Sequence, residues 1–168
     1  MHFHLFFRRM EWRLLWLLCL SWVLSSMFST DAMAQSTESG IAVIMAPGIV
    51  VPGLNRDVLA LIFTSKKRFW DAGQLSGLRI QPVNLSASHP LRHAFSLQLL
   101  HRSPEEMDDY WQDMYFHGIS PPFVLASEEA VIRFVARTPG AIGYISHCVT
   151  DHRVNVVMQL DSVLACPR

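Results

Sequence analysis

The sequence predicts an α/β fold: a mixed sheet flanked by helices. Three observations predict it. Apolar runs of strand length alternate along the chain with segments whose apolar residues recur at helical spacing. Helix-start residues stand at Asn55, Ser88, Ser103 and Ser127. Pro-Gly pairs at Pro47-Gly48, Pro52-Gly53 and Pro139-Gly140 punctuate the elements.

Taken in order, Ile41 to Ala46 is a continuous apolar run, which suits a strand buried on both faces. Asn55 caps a helix whose positions Val58, Leu59, Ile62 and Phe63 face inward. Ser65 to Gly77 reads as a loop with Lys66, Lys67 and Arg68 beside Phe69 and Trp70. Such a basic-aromatic loop is either a partner surface or a core-closing Trp70 flanked by solvated cations. Arg79 to Leu85 alternates as a strand, and Ser88 caps the next helix. Its apolar stripe is Leu91, Ala94, Phe95 and Leu99, with Arg92, His93 and Ser96 on other faces.

Ser103-Pro104-Glu105-Glu106 is a capping box with Pro at the first helical position. That helix directs Met107, Tyr110, Trp111, Met114 and Tyr115 inward and ends at Gly118. Phe123 to Ala126 is a short apolar piece. Ser127 caps a helix with Val131, Phe134 and Val135 inward, stopped by Thr138-Pro139-Gly140. Ala141 to Ser146 is a strand. In the last strand Val154, Val156, Met158 and Leu160 alternate with Asn155, Val157 and Gln159.

The N-terminus has a different character. Arg8, Arg9 and Arg13 precede the apolar run Leu14 to Leu24, and Ala32-Met33-Ala34 forms an A-x-A site before Gln35. That order is a secretory signal peptide over residues 1–34, with a domain over 35–168 and a periplasmic location. The apolar run falls short of the ~20 residues of a membrane-spanning helix. Removing residues 1–34 takes three of 14 basic and two of 14 acidic side chains, leaving 11 and 12. So balanced a charge argues against a nucleic-acid partner. Cys148 and Cys166 remain, and an oxidising compartment makes them a candidate disulfide worth about 3 kcal/mol on the chain-entropy model.

Catalytic patterns are missing. The chain has no G-x-S-x-G elbow and no Gly-rich nucleotide loop. Glu105, Glu106, Asp108 and Asp109 are explained by the helix dipole they complement. His147 and Cys148, adjacent in sequence, would point to opposite faces of a strand. His89 and His93 share helical spacing, but no third ligand is fixed near them, so a metal is not expected. No cofactor and no enzymatic activity are expected.

The stretch Asn84 to Phe95 is the exception. His89, Arg92 and His93 occupy the start of a helix, where the dipole is already positive. A helix N-terminus offers free N–H groups to an anion, Ser86 and Ser88 add hydroxyls, and Arg92 adds a forked guanidinium. Ser86, Ser88, His89 and Arg92 are therefore the candidate ligand-binding residues for an oxyanion. Pro90 removes one donor. The competing reading pairs Arg92 with an acidic side chain elsewhere.

Four stretches carry a family likeness: LNRDVLALIFTSKKRFWDAG, IQPVNLSASHPLRHAF, ASEEAVIRFVARTPGAIGYIS and VNVVMQL. Over Gly40 to Leu160 the chain resembles the phosphate ABC-transporter substrate-binding proteins of the type II periplasmic-binding-protein superfamily. The resemblance implies a single lobe, the second of the family's two, and a phosphate-like ligand delivered to an inner-membrane transporter or sensor. The family loop carries Arg and then Ser-Gly-Thr, whereas here the Ser and Thr positions fall on His89 and Leu91. The alternative is a non-ligand-binding interaction protein of the same fold that acts on a membrane partner. Export is testable first: mass spectrometry of the exported protein is expected to find an N-terminus at Gln35, and an intact Met1 would overturn it.

Overall fold

The computed structural model describes residues 40–149 and 151–161. Residues 1–34, the expected signal peptide, lie outside the described residues, as does Cys166. The elements run β1 (Gly40–Met45), α1 (Arg56–Phe63), β2 (Gln81–Leu85), α2 (Pro90–Leu100), α3 (Glu106–Phe116), β3 (Phe123–Leu125), α4 (Glu128–Arg137), β4 (Ala141–Ser146) and β5 (Asn155–Asp161). The strands form one five-stranded sheet in the order β3-β2-β4-β1-β5. β2 is parallel to β3 and β4, whereas β1 is antiparallel to both β4 and β5, so the sheet is mixed.

β1 lies near the middle of that order, and Ile41 to Met45 are all buried. A strand covered on both faces has no polar side to present, which is why its sequence is uniformly apolar. β5 contradicts simple alternation. Its register against β1 shifts between Val43 and Ile44, so Val43 faces Met158 while Ile44 faces Val156. The extra residue Val157 is the bulge, and beyond it the outward side becomes the other parity. Val156 is consequently exposed rather than inward.

The caps explain most helix starts. Asn55 Oδ1 accepts from Val58 N–H at 2.9 Å, and Ser127 Oγ accepts from Ala130 N–H at 3.2 Å. Ser103 and Glu106 form the reciprocal capping box, at 2.6 and 3.2 Å. The expected cap at Ser88 is displaced by one residue. His89 is the cap of α2, its Nδ1 accepting from Leu91 N–H at 3.2 Å, while Ser88 turns its hydroxyl to Ser86.

Two helices face differently from expectation. In α2 the buried residues are Leu91, Arg92, Phe95, Ser96 and Leu99. At about 100° per residue those positions form one continuous inward face, and Arg92 and Ser96 belong to it. In α3 only Met107 is fully buried, and Tyr115 is 71% exposed. Tyr110 anchors α3 by donating from its hydroxyl to Thr64 C=O at 2.7 Å, and the helix C-terminus runs out over solvent. In α4 Val131, Ile132 and Val135 are buried, and Phe134 is half-buried. Trp70 is buried, and its indole N–H donates to Gly140 C=O at 3.1 Å, so it closes the core.

Gly143 of β4 is a packing glycine. A Cβ there would stand 2.7 Å from methyl carbons of both Val83 and Val131, so the sheet and α4 approach through the space it leaves. Gly143→Ala is expected to destabilise the fold by about 1–3 kcal/mol in denaturant melts, the usual range for overpacking.

Arg153 clamps the β4–β5 connection to α4. Its guanidinium donates to both oxygens of Glu129, at 3.0 and 2.7 Å, and to Asp151 at 2.6 to 3.1 Å. Side-chain and main-chain hydrogen bonds from Arg153 hold the Asp151 carboxyl at about 2. A carboxyl pKa depressed in the folded state stabilises above the unfolded value of about 3.9, and that stabilisation disappears as pH falls through the folded value. Stability is therefore expected to fall from about pH 4 toward pH 2. Urea melts of Asp151→Asn across that range should show a shallower decline than the unchanged chain.

Candidate functional site

The carboxyl end of β2 runs directly into a β-turn, Ser86 to His89, closed by His89 N–H donating to Ser86 C=O at 2.9 Å. In sheets with parallel strands this end is where ligands sit. Ser86 is half-buried, Ser88 is exposed, and their hydroxyls are 3.1 Å apart. His89 is half-buried. Because its Nδ1 accepts the Leu91 N–H, a neutral ring carries its proton on Nε2 and presents a donor.

The helix start itself is less open than the sequence implies. Pro90 has no N–H, Leu91 N–H is taken by His89, and the N–H groups of Arg92 and His93 both reach His89 C=O, at 2.9 and 3.2 Å. The donors free of a protein acceptor, among the described residues, are instead the turn N–H groups of Ala87 and Ser88. An anion at this place would meet a turn rather than a bare helix end.

Arg92 lies on the inward face of α2 and is only 7% exposed. Among the described residues no carboxylate forms a salt bridge with it; the ion pairs involve Arg56, Lys67, Arg133 and Arg153. The competing sequence reading, an acid partner for Arg92, survives only as a longer-range attraction: the Glu105 carboxyl, held below its ordinary value chiefly by main-chain and Ser103 hydrogen bonds, is lowered further by the His93 and Arg92 charges. Its polar neighbour is Tyr144 of β4. Burial pushes the Tyr144 hydroxyl upward, and the nearby Arg92 charge and hydrogen bond pull against that. The hydroxyl also receives Leu85 N–H at 3.3 Å and donates to Asn84 Oδ1 at 3.4 Å. Asn84, Arg92 and Tyr144 form a buried polar group, and Ser96 of the same helix face is buried as well.

Aromatic packing fixes that group. The Tyr144 ring stacks on Phe95 with centroids 3.8 Å apart and planes 9° apart, and Phe63 meets Phe95 edge-on at 4.7 Å. Phe95 follows Arg92 by one helical turn, so the stack that holds Tyr144 also sets where the guanidinium can reach.

The structure therefore brings Ser86, Ser88 and His89 together at one turn and puts Arg92 in the inward face of the helix that follows. His93 is exposed. Sequence reasoning missed Tyr144 and Asn84. The available signal was a polar atom at Asn84 and at Tyr144, each flanked on both sides by an apolar residue or glycine within its strand. Among the described residues no group of His, Cys, Asp and Glu could hold a metal ion, and no helix is long and apolar enough to cross a membrane. Cys148 is disulfide-bonded.

No protein-family model and no curated protein matches the chain. Solved structures do match. An ABC-type phosphate transport receptor from Vibrio cholerae aligns at 20% identity and a TM-score of 0.57, over 71% of this chain and 45% of that one. A phosphate ABC transporter substrate-binding protein from Clostridium perfringens, with bound phosphate, aligns at 22% identity and 0.57, over 71% and 44%. PstS from Borrelia burgdorferi aligns at 19% identity and 0.54, over 77% and 49%. The chain thus spans slightly under half the length of each. These likenesses show the fold: the mixed sheet and its helices match one lobe of a PstS-type binding protein.

Proposed function

We propose that the chain is an exported, non-enzymatic solute-binding protein that holds a phosphate-like oxyanion for an inner-membrane transporter or sensor. One observation carries the proposal: a guanidinium more than nine-tenths buried, with no carboxylate in salt-bridge contact among the described residues, on the first turn of the helix behind a serine-bearing turn. A buried cation in that condition calls for an anion. The Ser86 and Ser88 hydroxyls, the Ala87 and Ser88 N–H groups and the outer nitrogen of His89 are the donors that would surround it.

The fold supports this reading, since structures of like fold include one with bound phosphate. A bond between Cys148 and Cys166 belongs to the same proposal, as a clip on the C-terminal segment of an exported chain. One lobe forms half an enclosure, so the ligand stays partly wet. We expect an affinity of about micromolar or weaker unless a second copy or a partner closes over it.

Calorimetric titration at low salt with phosphate, sulfate and a carboxylate tests the proposal. Saturable oxyanion binding is expected, weakening as salt rises. Arg92→Ala should weaken it by tenfold or more, and Ser86→Ala by less, because a charged hydrogen bond exceeds a neutral one. No saturable binding at low salt would leave the interaction-protein reading in its place. The exposed Tyr115, Phe116, Phe123 and Val124 are the observation favouring that second reading.

A further inference from the structure

The other end of β2 carries a second concave surface. Five strand residues at about 3.3 Å each put it roughly 16 Å from the serine turn. It is a cleft of about 590 Å³, floored by Ile62, Ile80 and Pro82, and closed on one side by residues 118–122. The Ser65 hydroxyl donates to Ser120 C=O at 3.3 Å and holds that loop against the end of α1.

Its charge is one-sided. Lys67, Arg68 and Arg79 line it, and no Asp or Glu does. Lys67 is answered by Asp71 at 2.5 Å, whereas Arg68 and Arg79 form no salt bridge among the described residues. Both arginines are exposed. Phe123 also lines the cleft and starts β3, the terminal strand of the sheet. Phe123 is 62% exposed and Val124 63% exposed. A terminal strand keeps one row of main-chain donors and acceptors unpaired by the sheet.

We propose that this cleft docks an acidic, extended segment of a partner protein, with its carboxylates on Arg68 and Arg79 and its apolar side chains on Phe123 and Val124. Three features select that occupant. Two cations without carboxylate partners call for negative charge. The exposed apolar rim calls for hydrophobic side chains in the same ligand. The open edge of β3 suits an extended main chain, which adds to a sheet through hydrogen bonds that a compact anion cannot make. This surface uses none of the residues of the serine turn, so it stands or falls independently of oxyanion binding.

Fluorescence anisotropy tests it, using the full chain and a labelled ten-residue peptide of alternating Glu and Phe. Saturable binding is expected, with at least a tenfold loss in the double variant Arg68→Glu, Arg79→Glu. The milder Arg68→Gln, Arg79→Gln variant should show an intermediate loss, with an unchanged melting transition marking an intact fold. Val124→Asp should weaken binding without touching the arginines. The proposal is overturned by no saturable binding, by equal affinity for a Lys-Phe peptide, or by indifference to the arginine variants. Citrate or inorganic polyphosphate competing as well as the unlabelled peptide would assign the cleft to a small polyanion and overturn it. So would arginine-dependent binding of DNA or of phosphatidylglycerol vesicles that exceeds binding of the peptide.

Discussion

Taking a guanidinium out of water costs on the order of several kcal/mol unless negative charge or a full set of acceptors meets it. In this chain α2 carries Arg92 on its inward face, so the layer between α2 and the sheet is built around that cost. Tyr144 and Asn84 interrupt the apolar strands beside it, and the stacked rings of Phe95 and Tyr144 keep the polar group from rearranging. The neighbouring Ser96 hydroxyl is buried with no hydrogen-bond partner among the described residues, which adds to the polar load of the same helix. A helix optimised only for stability would place apolar side chains at both positions.

The position of the charge along the sheet gives it meaning. The Ser86 to His89 turn follows β2 directly, and β2 has parallel neighbours on both sides. The carboxyl ends of those three parallel strands therefore lie at one end of the sheet. The matching region spans slightly under half the length of each solved structure of like fold.

Much of the architecture was legible in the sequence because its signals are local. The apolar run Ile41 to Met45, the Ser103–Glu106 capping box and the stop at Thr138-Pro139-Gly140 each specify structure within a few residues. The misreadings came from longer-range facts. The bulge at Val157 depends on how β5 pairs with β1, and no property of Val157 announces it. Tyr115 is exposed because, among the described residues, nothing packs over the end of α3, which its own periodicity could not reveal. At the candidate site, residue type alone selects Ser86, Ser88, His89 and Arg92, and it puts Arg92 on an outer face of α2, whereas Arg92 is buried. A cation in an amphipathic pattern is ordinarily solvated. The pattern was read by polarity, whereas the inward face of α2 is set by where Leu91, Phe95 and Leu99 dock.

The central claim is that Arg92 is a stability liability kept for an anion. Thermal unfolding of the unchanged chain and of Arg92→Met, at low salt with and without phosphate, tests it most directly. Without phosphate Arg92→Met should melt higher, because an apolar side chain of similar length replaces a buried cation that no salt bridge answers among the described residues. Phosphate should raise the melting temperature of the unchanged chain and leave that of Arg92→Met where it is. A lower melting temperature for Arg92→Met without phosphate, together with equal phosphate shifts in both proteins, would contradict the account.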